Sequence, residues 1–103
     1  MELTAQEKVR EFTQIHNLTS SPAVAMLDLI SEIGEVAKDI LRSSDYKTDL
    51  SCKEPQAWDE LGDVFYSLLT LANELNYNID HGLDIALSKY RNRILKTGKP
   101  ASE

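Results

Sequence analysis

Two acidic motifs of the same form occur in the chain, and they contain the residues best suited to chemistry. The sequences EIGEV at residues 32–36 and ELGDV at residues 60–64 each place an acid, a branched apolar residue, a glycine and a second acid before a valine. The four acids, called the motif carboxylates, are Glu32, Glu35, Glu60 and Asp63. Residues three apart lie on one side of an α-helix, so each motif predicts two carboxylates one turn apart.

The motif carboxylates predict a divalent-cation site if the two helices that carry them pack antiparallel and bring the pairs together. Four negative charges lining one cleft repel one another unless a cation neutralises them. Oxygen ligands without Cys or His favour a hard ion, Mg²⁺ or alternatively Mn²⁺, and Mg²⁺ often completes its coordination shell with substrate phosphates. The alternative is a solvated flank, since each pair lies roughly 120° around its helix from the apolar stripe.

The residues around the motif carboxylates add two features. Asp28 and Asp39 extend the acidic stripe of the first motif by one turn in each direction. Gly34 and Gly62 occupy matching positions between the acids, although glycine inside a helix costs about 1 kcal/mol relative to alanine. We interpret the two glycines as leaving space beside the carboxylates for the close approach of another group.

Helix signals divide the first half of the chain into two helices. Apolar residues spaced by three predict a first helix over residues 4–18, with Thr4 as its N-cap. Ser21 as N-cap and Pro22 at the first helical position predict the start of a second helix. The apolar periodicity of this second helix continues to about Leu41.

The second half of the chain predicts two more helices. Residues 42–54 are polar and predict a connection, after which Pro55 predicts the start of a third helix that ends near Asn76. Asp80 is predicted to cap a fourth helix, which Gly98 terminates. The apolar stripe of this helix consists of Leu83, Leu87, Tyr90 and Ile94. Because no segment has the period of a strand, we predict one all-α domain, a four-helix bundle with two long central antiparallel helices.

Composition limits the partners and the cellular location. The 103 residues include 17 acids against 11 Lys or Arg, a formal charge of -6, so nucleic-acid binding is disfavoured. No apolar stretch approaches the roughly 18 residues that span a membrane, so no membrane association is expected. Cys52 is the single cysteine, and the N-terminal residues lack a signal-peptide pattern. We therefore expect a cytoplasmic protein without an intrachain disulfide, folded as one domain over residues 1–103.

The order and spacing of the motif carboxylates resemble the ExxE and ExxD signature of a known family. This family is the MazG-like nucleoside triphosphate pyrophosphohydrolases, within the all-α NTP pyrophosphatase superfamily. The segment DELGDVFYSLLTLANELNYNID at residues 59–80 is similar to the family's third helix and the turn after it. The resemblance extends from about Ser21 to Arg93.

The resemblance implies an enzyme that hydrolyses a nucleoside triphosphate, ribo or deoxy, to the monophosphate and pyrophosphate, as part of clearing unwanted nucleotides. It implies Mg²⁺ held by Glu32, Glu35, Glu60 and Asp63. Which carboxylate takes the proton of the attacking water stays open. Lys89, Asn92 and Arg93 on the last helix are similar to the family's phosphate-binding positions. The alternative for these residues is a basic last turn that complements the helix dipole.

The resemblance also implies assembly. In the family, subunits pair through their helices and complete one another's clefts, so a homodimer or a tetramer built from dimers is expected. Two other functions remain open: phosphoribosyl-ATP pyrophosphohydrolase activity, and a non-catalytic dimerisation or regulatory module of the same fold. Among aromatic residues, Trp58 is expected to pack in the core or a subunit contact, and Phe12 in the core with His16 on the surface, in preference to a nucleobase pocket.

Overall fold

The described part of the chain forms four helices, as seen in a computed structural model. The structure describes residues 2–43 and 56–101. The helices are α1 (Ala5–Ile15), α2 (Pro22–Ser43), α3 (Gln56–Glu74) and α4 (Ile79–Thr97). The described part of the chain contains no strand, which confirms the predicted all-α class. It also contains no helix with the combined length and apolarity needed to cross a membrane.

Helix α1 begins as predicted and ends earlier than predicted. Thr4 forms a capping box, in which its hydroxyl accepts from the Glu7 amide at 3.1 Å and its own amide donates to the Glu7 carboxylate at 2.9 Å. The helix stops at Ile15, three residues before the predicted end. The reason is Asn17, whose φ of 54° is left-handed and cannot continue a right-handed helix.

Helix α2 starts at the predicted cap. The Ser21 hydroxyl accepts from the Val24 amide at 3.3 Å, and Pro22 is the first helical residue. The helix continues to Ser43, two residues past the predicted end. The first two residues of the predicted connection are thus helical. Its remaining residues, with Cys52, lie outside the described residues, and so do Pro55, the predicted start of the third helix, and the Trp58 side chain.

Helix α4 begins at a different cap from the one predicted. The Asn78 side chain accepts from the His81 amide at 3.1 Å, so the prediction of Asp80 as the cap is wrong. Asp80 lies inside the first turn, where its charge still favours the positive end of the helix dipole. The predicted stop is confirmed: Gly98 has φ 77° and its amide donates to the Ile94 carbonyl at 2.8 Å.

The core lies between α2 and α3, which form the most extensive helix contact in the chain. Its buried apolar residues are Ala25 and Leu29 of α2 with Leu69 and Ala72 of α3. Neighbouring residues of the two helices follow opposite orders along the chain. Asp39 lies by Glu60 and Glu32 by Asp63, whereas the earlier residues Ala25 and Asp28 border one cavity with the later residues 66–70. The two helices are therefore antiparallel, and their acidic motifs lie at the same end of the pair.

Helix α1 packs on α3 and is also joined to the turn between α3 and α4 by buried Gln6. The Gln6 side-chain amide donates to the Tyr77 carbonyl, and its oxygen accepts from the Ile79 amide at 2.8 Å. Asn73 donates to the Gln6 carbonyl at 3.3 Å and accepts from Arg10 at 2.9 Å. We call this group the Gln6 clamp; it holds the first residues of α4 against α1.

Helix α4 extends away from the other three helices after the Gln6 clamp. It has no buried residue, and its packing against the other helices is sparse. The four residues of its predicted apolar stripe are 40% to 56% exposed. The radius of gyration, 16.7 Å, exceeds the roughly 13 Å of a compact domain of this length, as expected for a projecting helix.

Candidate functional site

Three of the four motif carboxylates come together across α2 and α3. One carboxylate oxygen from each of Glu32, Glu60 and Asp63 lies within 4.8 Å of the other two. Glu32 and Glu60 are half-buried, and Asp63 is exposed. The group, called the acidic cluster, lies where the antiparallel pairing places the first motif of α2 against the second motif of α3.

Glu35 is the motif carboxylate that the structure leaves outside the acidic cluster. It is exposed and lies one turn along α2 from Glu32. Its negative charge nevertheless acts on Glu60 and contributes to raising the pKa of that residue. Glu35 would therefore have to rotate its side chain to become a fourth ligand.

Glu60 is the electrostatic centre of the site. Partial burial raises the pKa of its carboxyl above the ordinary 4.5, and the negative charges of Asp39, Asp63 and Glu35 raise the pKa further. A hydrogen bond with the Asp39 side chain acts in the same direction. Protonation of Glu60 removes part of the repulsion among these acids, whereas a bound cation would lower the Glu60 pKa.

Asp39 is a functional candidate that sequence reasoning placed on the acidic stripe but did not assign to the site. It is half-buried on α2, one turn beyond Glu35, and contacts Glu60 of α3. The spacing of four residues from Glu35 was the signal in the sequence. The spacing did not show that Glu60 of α3 would lie beside Asp39, because that contact depends on the register of α2 against α3.

The acidic cluster fits a hard divalent cation. Its donors are all oxygen atoms, which suit Mg²⁺ or Mn²⁺. Ligands about 2.1 Å from a Mg²⁺ ion lie roughly 3 to 4 Å apart, so oxygens within 4.8 Å of one another need only small side-chain rotations. The raised pKa of Glu60 shows the unbalanced charge that such an ion would neutralise.

Gly34 and Gly62 lie beside the acidic cluster with open space around them. A methyl group built at either position would meet nothing within 4 Å in the described part of the chain. Among the described residues, no group therefore makes the close approach that we expected the two glycines to permit. The space is available to a ligand or to a second subunit.

A cavity of about 430 Å³ opens next to the acidic cluster. It is bounded by the loop of residues 17–20, by Ala25 and Asp28 of α2, and by Tyr66, Ser67 and Thr70 of α3. Asp28 precedes Glu32 by four residues, and Ser67 follows Asp63 by four. Because four residues of helix rise about 6 Å, this cavity is one turn from the acidic cluster along both helices.

Aromatic rings meet near this cavity. Phe12 lies edge-on to Tyr66, with ring centroids 6.0 Å apart, and its other neighbour is the His16 ring at 4.7 Å. Phe12 is 48% exposed, so the expectation of a core phenylalanine is wrong. The buried residues of α1 are Gln6 and Thr13, and the Phe12 ring reaches α3 only through its edge-on contact with Tyr66.

The predicted phosphate-binding residues lie on projecting α4. Lys89 and Asn92 are exposed, and Arg93 is half-buried. The Lys89 ammonium lies 5.1 Å from the Tyr90 ring and the Arg93 guanidinium 5.8 Å from it, while Arg93 also donates to the Pro100 carbonyl at 3.3 Å. Since α4 packs sparsely on the other helices, the fold of one chain does not hold these side chains against the acidic cluster.

The four helices, with acids of two antiparallel helices converging on one point, define an all-α domain that carries a candidate metal-binding cluster. Residues 20–96 match the MazG nucleotide pyrophosphohydrolase domain, and the chain belongs to this family. The match includes the acidic cluster, most of the residues that border the cavity and nearly all of α4, and leaves out α1.

The chain is also similar to a curated protein. It is 28% identical over 74 residues to "Uncharacterized protein YpjD" of Bacillus subtilis (strain 168), covering 71% of this chain and 67% of that protein. No solved structure matches.

Proposed function

We propose that the protein is a Mg²⁺-dependent nucleoside triphosphate pyrophosphohydrolase. It converts an NTP or dNTP to the monophosphate and pyrophosphate, and its role is to clear unwanted nucleotides in the cytoplasm. The whole chain, residues 1–103, acts as one domain. The observation that carries the proposal is the convergence of Glu32, Glu60 and Asp63 in a chain that belongs to the MazG family.

The acidic cluster would hold the metal, with Glu35 joining it after a side-chain rotation. When bound, Mg²⁺ polarises the α-phosphate and balances the charge that develops on the departing pyrophosphate. Asp39 shares a hydrogen bond with Glu60 only while one of the two carboxyl groups is protonated; with both ionised, its negative charge would repel the Glu60 carboxylate toward a bound cation. The carboxylates of this chain thereby fix the place at which the triphosphate is cleaved.

The cavity of about 430 Å³ is suited to the nucleoside part of the substrate. Its volume falls in the range of small-molecule sites, and it opens one helical turn from the acidic cluster. With the α-phosphate at the acidic cluster and the nucleoside in this cavity, the pyrophosphate points the other way, toward Glu35 and Asp39. That end of the site is acidic, so the β- and γ-phosphates need additional cations.

Lys89, Asn92 and Arg93 are proposed to supply contacts to these phosphates from a second subunit. Helix α4 leaves its apolar stripe uncovered, and α3 exposes Leu61 by 56% and Phe65 by 51%. Covering these surfaces with a second copy removes apolar area from water and allows α4 of one subunit to reach the acids of the other. The assembly is accordingly a homodimer or a dimer of dimers.

The test is incubation with each NTP and dNTP, with and without Mg²⁺, followed by separate assays of pyrophosphate and orthophosphate. We expect Mg²⁺-dependent release of pyrophosphate only. Asp63→Asn should lower the rate by at least about hundredfold, because it removes a metal ligand. Asp59→Asn is the matched control, since Asp59 is an exposed aspartate on the same helix outside the acidic cluster.

Two outcomes would contradict the proposal. Equal losses in the two variants would remove Asp63 from the site. Thermal stabilisation by Mg²⁺ and nucleotide without any turnover would favour a non-catalytic binding module. Phosphoribosyl-ATP belongs in the same panel, because faster turnover of that substrate than of any free NTP would assign the other pyrophosphohydrolase activity.

A further inference from the structure

We propose that Asp28 recognises the ribose of the substrate and makes the site prefer ribonucleoside over deoxyribonucleoside triphosphates; this inference rests on the proposed function. Asp28 lies outside both acidic motifs. It borders the cavity from α2, with Tyr66 and Ser67 bordering it from α3. The assignment follows from its position along the substrate and from the hydrogen-bonding chemistry of a carboxylate.

The register of α2 and α3 divides the site into levels along the helix pair. The acidic cluster is the first level, with Glu32 beside Asp63. Asp28 and Ser67 form the second level, about 6 Å away, and Ala25 with Thr70 forms the third, roughly another turn along. Each level therefore meets a different part of a ligand that extends from the acidic cluster into the cavity.

The parts of a nucleotide follow the same order. The ribose is bonded to the α-phosphate and the base is bonded to the ribose, so a nucleotide anchored by its α-phosphate presents the sugar before the base. A separation of about 6 Å places the second level at the sugar. Ala25 and Thr70 border the cavity at the third level, where the base would follow the sugar.

A carboxylate at the second level needs a hydrogen-bond donor. An ionised aspartate only accepts hydrogen bonds, and beside a triphosphate it would repel the ligand unless a donor faced it. No hydrogen bond or ion pair within residues 2–43 and 56–101 engages the Asp28 side chain, so its oxygens are available. The 2′- and 3′-hydroxyl groups of ribose are donors at this level, and deoxyribose lacks the first of them.

Ser67 supports the same assignment from the opposite helix. It is buried, 9% exposed, and its residue borders the cavity at the level of Asp28. A hydroxyl both donates and accepts, so Ser67 can pair with a sugar hydroxyl whichever way that hydroxyl is turned. The sugar is thus placed between an acceptor on α2 and a hydroxyl on α3, with the acceptor deciding between ribose and deoxyribose.

The experiment compares kcat/KM for the four ribo and deoxy pairs, such as ATP with dATP, in the full chain with Mg²⁺. A hydrogen bond to a charged group is worth a factor of at least about ten, so we expect the ribo substrate to be favoured by that factor for every base. Asp28→Ala should bring the ratio near one, and Asp28→Asn should leave an intermediate ratio. Asp84→Asn, an exposed aspartate of α4 outside the cavity, is the matched control and should keep the wild-type ratio.

Several results would overturn the inference. A ratio near one in the wild-type protein, or a wild-type ratio retained by Asp28→Ala, removes Asp28 from sugar recognition. A change in base preference with the sugar preference kept assigns Asp28 to the base. If kcat/KM falls for the 3′-deoxy substrate but not for the 2′-deoxy substrate, Asp28 does not select for the 2′-hydroxyl group and the ribose preference is contradicted.

A binding measurement separates failure of the inference from failure of the proposed function. Thermal shifts with non-hydrolysable ribo and deoxy triphosphates and Mg²⁺ report sugar preference without turnover. Absence of hydrolysis with a ribo preference that Asp28→Ala abolishes would sink the enzyme assignment alone. Hydrolysis without sugar preference would sink the inference alone, and the absence of both hydrolysis and nucleotide binding would sink both.

Discussion

The α2–α3 pair and helix α4 carry charges of opposite sign and are held in very different ways. The pair buries the core of the chain and brings Glu32, Glu60 and Asp63 together. Helix α4 carries Lys89 and Arg93 and has no buried residue. Packing of α2 on α3 therefore builds the acidic cluster, whereas in the described residues the sparse packing of α4 does not fix Lys89 and Arg93 beside that cluster.

This difference explains why α4 has an apolar stripe at all. A helix that is only a solvated arm would not need Leu83, Leu87, Tyr90 and Ile94 on one face. The stripe is exposed in a single chain, and under our proposal a helix of a second subunit covers it. The proposal then has a direct consequence: acids and cations of one working site come from different chains.

The strongest test of the comparison mixes two inactive variants, Lys89→Ala and Asp63→Asn. If each site takes acids from one chain and Lys89 from the other, a mixed dimer has one intact site. Random pairing should then restore about one quarter of the wild-type activity. A mixture as inactive as its components would place Lys89 beside the acids of its own chain or outside the site.

The assembly itself is tested by Leu87→Glu, which puts a charge in the middle of the α4 stripe. We expect light scattering to shift from a dimer or tetramer to the 11.6 kDa monomer, with loss of pyrophosphate release. Leu95→Glu is the matched control, because Leu95 is 84% exposed and lies outside the stripe. Dissociation by the control alone, or by neither variant, would contradict the assignment of this face to the dimer contact.

An intermediate effect is expected from Gly34→Ala and Gly62→Ala. Because the added methyl group meets nothing within 4 Å, each change should raise the free energy of unfolding by up to about 1 kcal/mol through helix propensity. If substrate or a second subunit uses the open space, pyrophosphate release should fall despite the greater stability. Denaturant melts and rate assays on the same samples measure both quantities. Unchanged rates would leave the two glycines without a functional role.

The smallest effect concerns pH and Glu60. Its pKa in the folded chain is raised above 4.5, so the folded state binds this proton more tightly than the unfolded state does. Between 4.5 and the raised pKa, the contribution of Glu60 to stability is therefore lost as pH increases. Mg²⁺ should stabilise the protein more at pH 7 than at pH 4.5, because it competes with that proton.

Thermal melts of wild type and Glu60→Gln across this range check the prediction. Glu60→Gln should lose the decline in stability as pH rises above 4.5, and it should also lose most of the stabilisation by Mg²⁺. Glu11→Gln, an exposed acid of α1, should keep both. A variant with the wild-type pH profile and Mg²⁺ response would show that Glu60 is not the coupled group.

Sequence reasoning identified features that depend on local spacing and missed those that depend on how helices meet. The Thr4 and Ser21 caps and the Gly98 stop follow from side-chain chemistry within a few residues, and each occurs as predicted. The α4 cap was predicted to be Asp80, whereas the structure has Asn78. Asn and Asp are both good caps, and spacing alone does not choose between them.

The site shows the same division. Two ExxE-like spacings predict that acids share helix faces, and antiparallel pairing then brings three of them together. The contact of Asp39 with Glu60 depends on the register of α2 against α3, which spacing does not give. The cavity depends on the left-handed Asn17, which turns the chain between α1 and α2. Periodicity also shows that α4 has an apolar face without showing what covers it.

The Gln6 clamp makes the direction of α4 a property of the N-terminal helix. The Gln6 side chain donates to the Tyr77 carbonyl and accepts from the Ile79 amide. The first residue of α4 is therefore anchored to α1 and not to the acidic cluster. Changes in α1 can therefore alter the direction of α4 while Glu32, Glu60 and Asp63 keep their places between α2 and α3. The direction of α4 and the positions of the clustered acids are thus set by different segments of the chain.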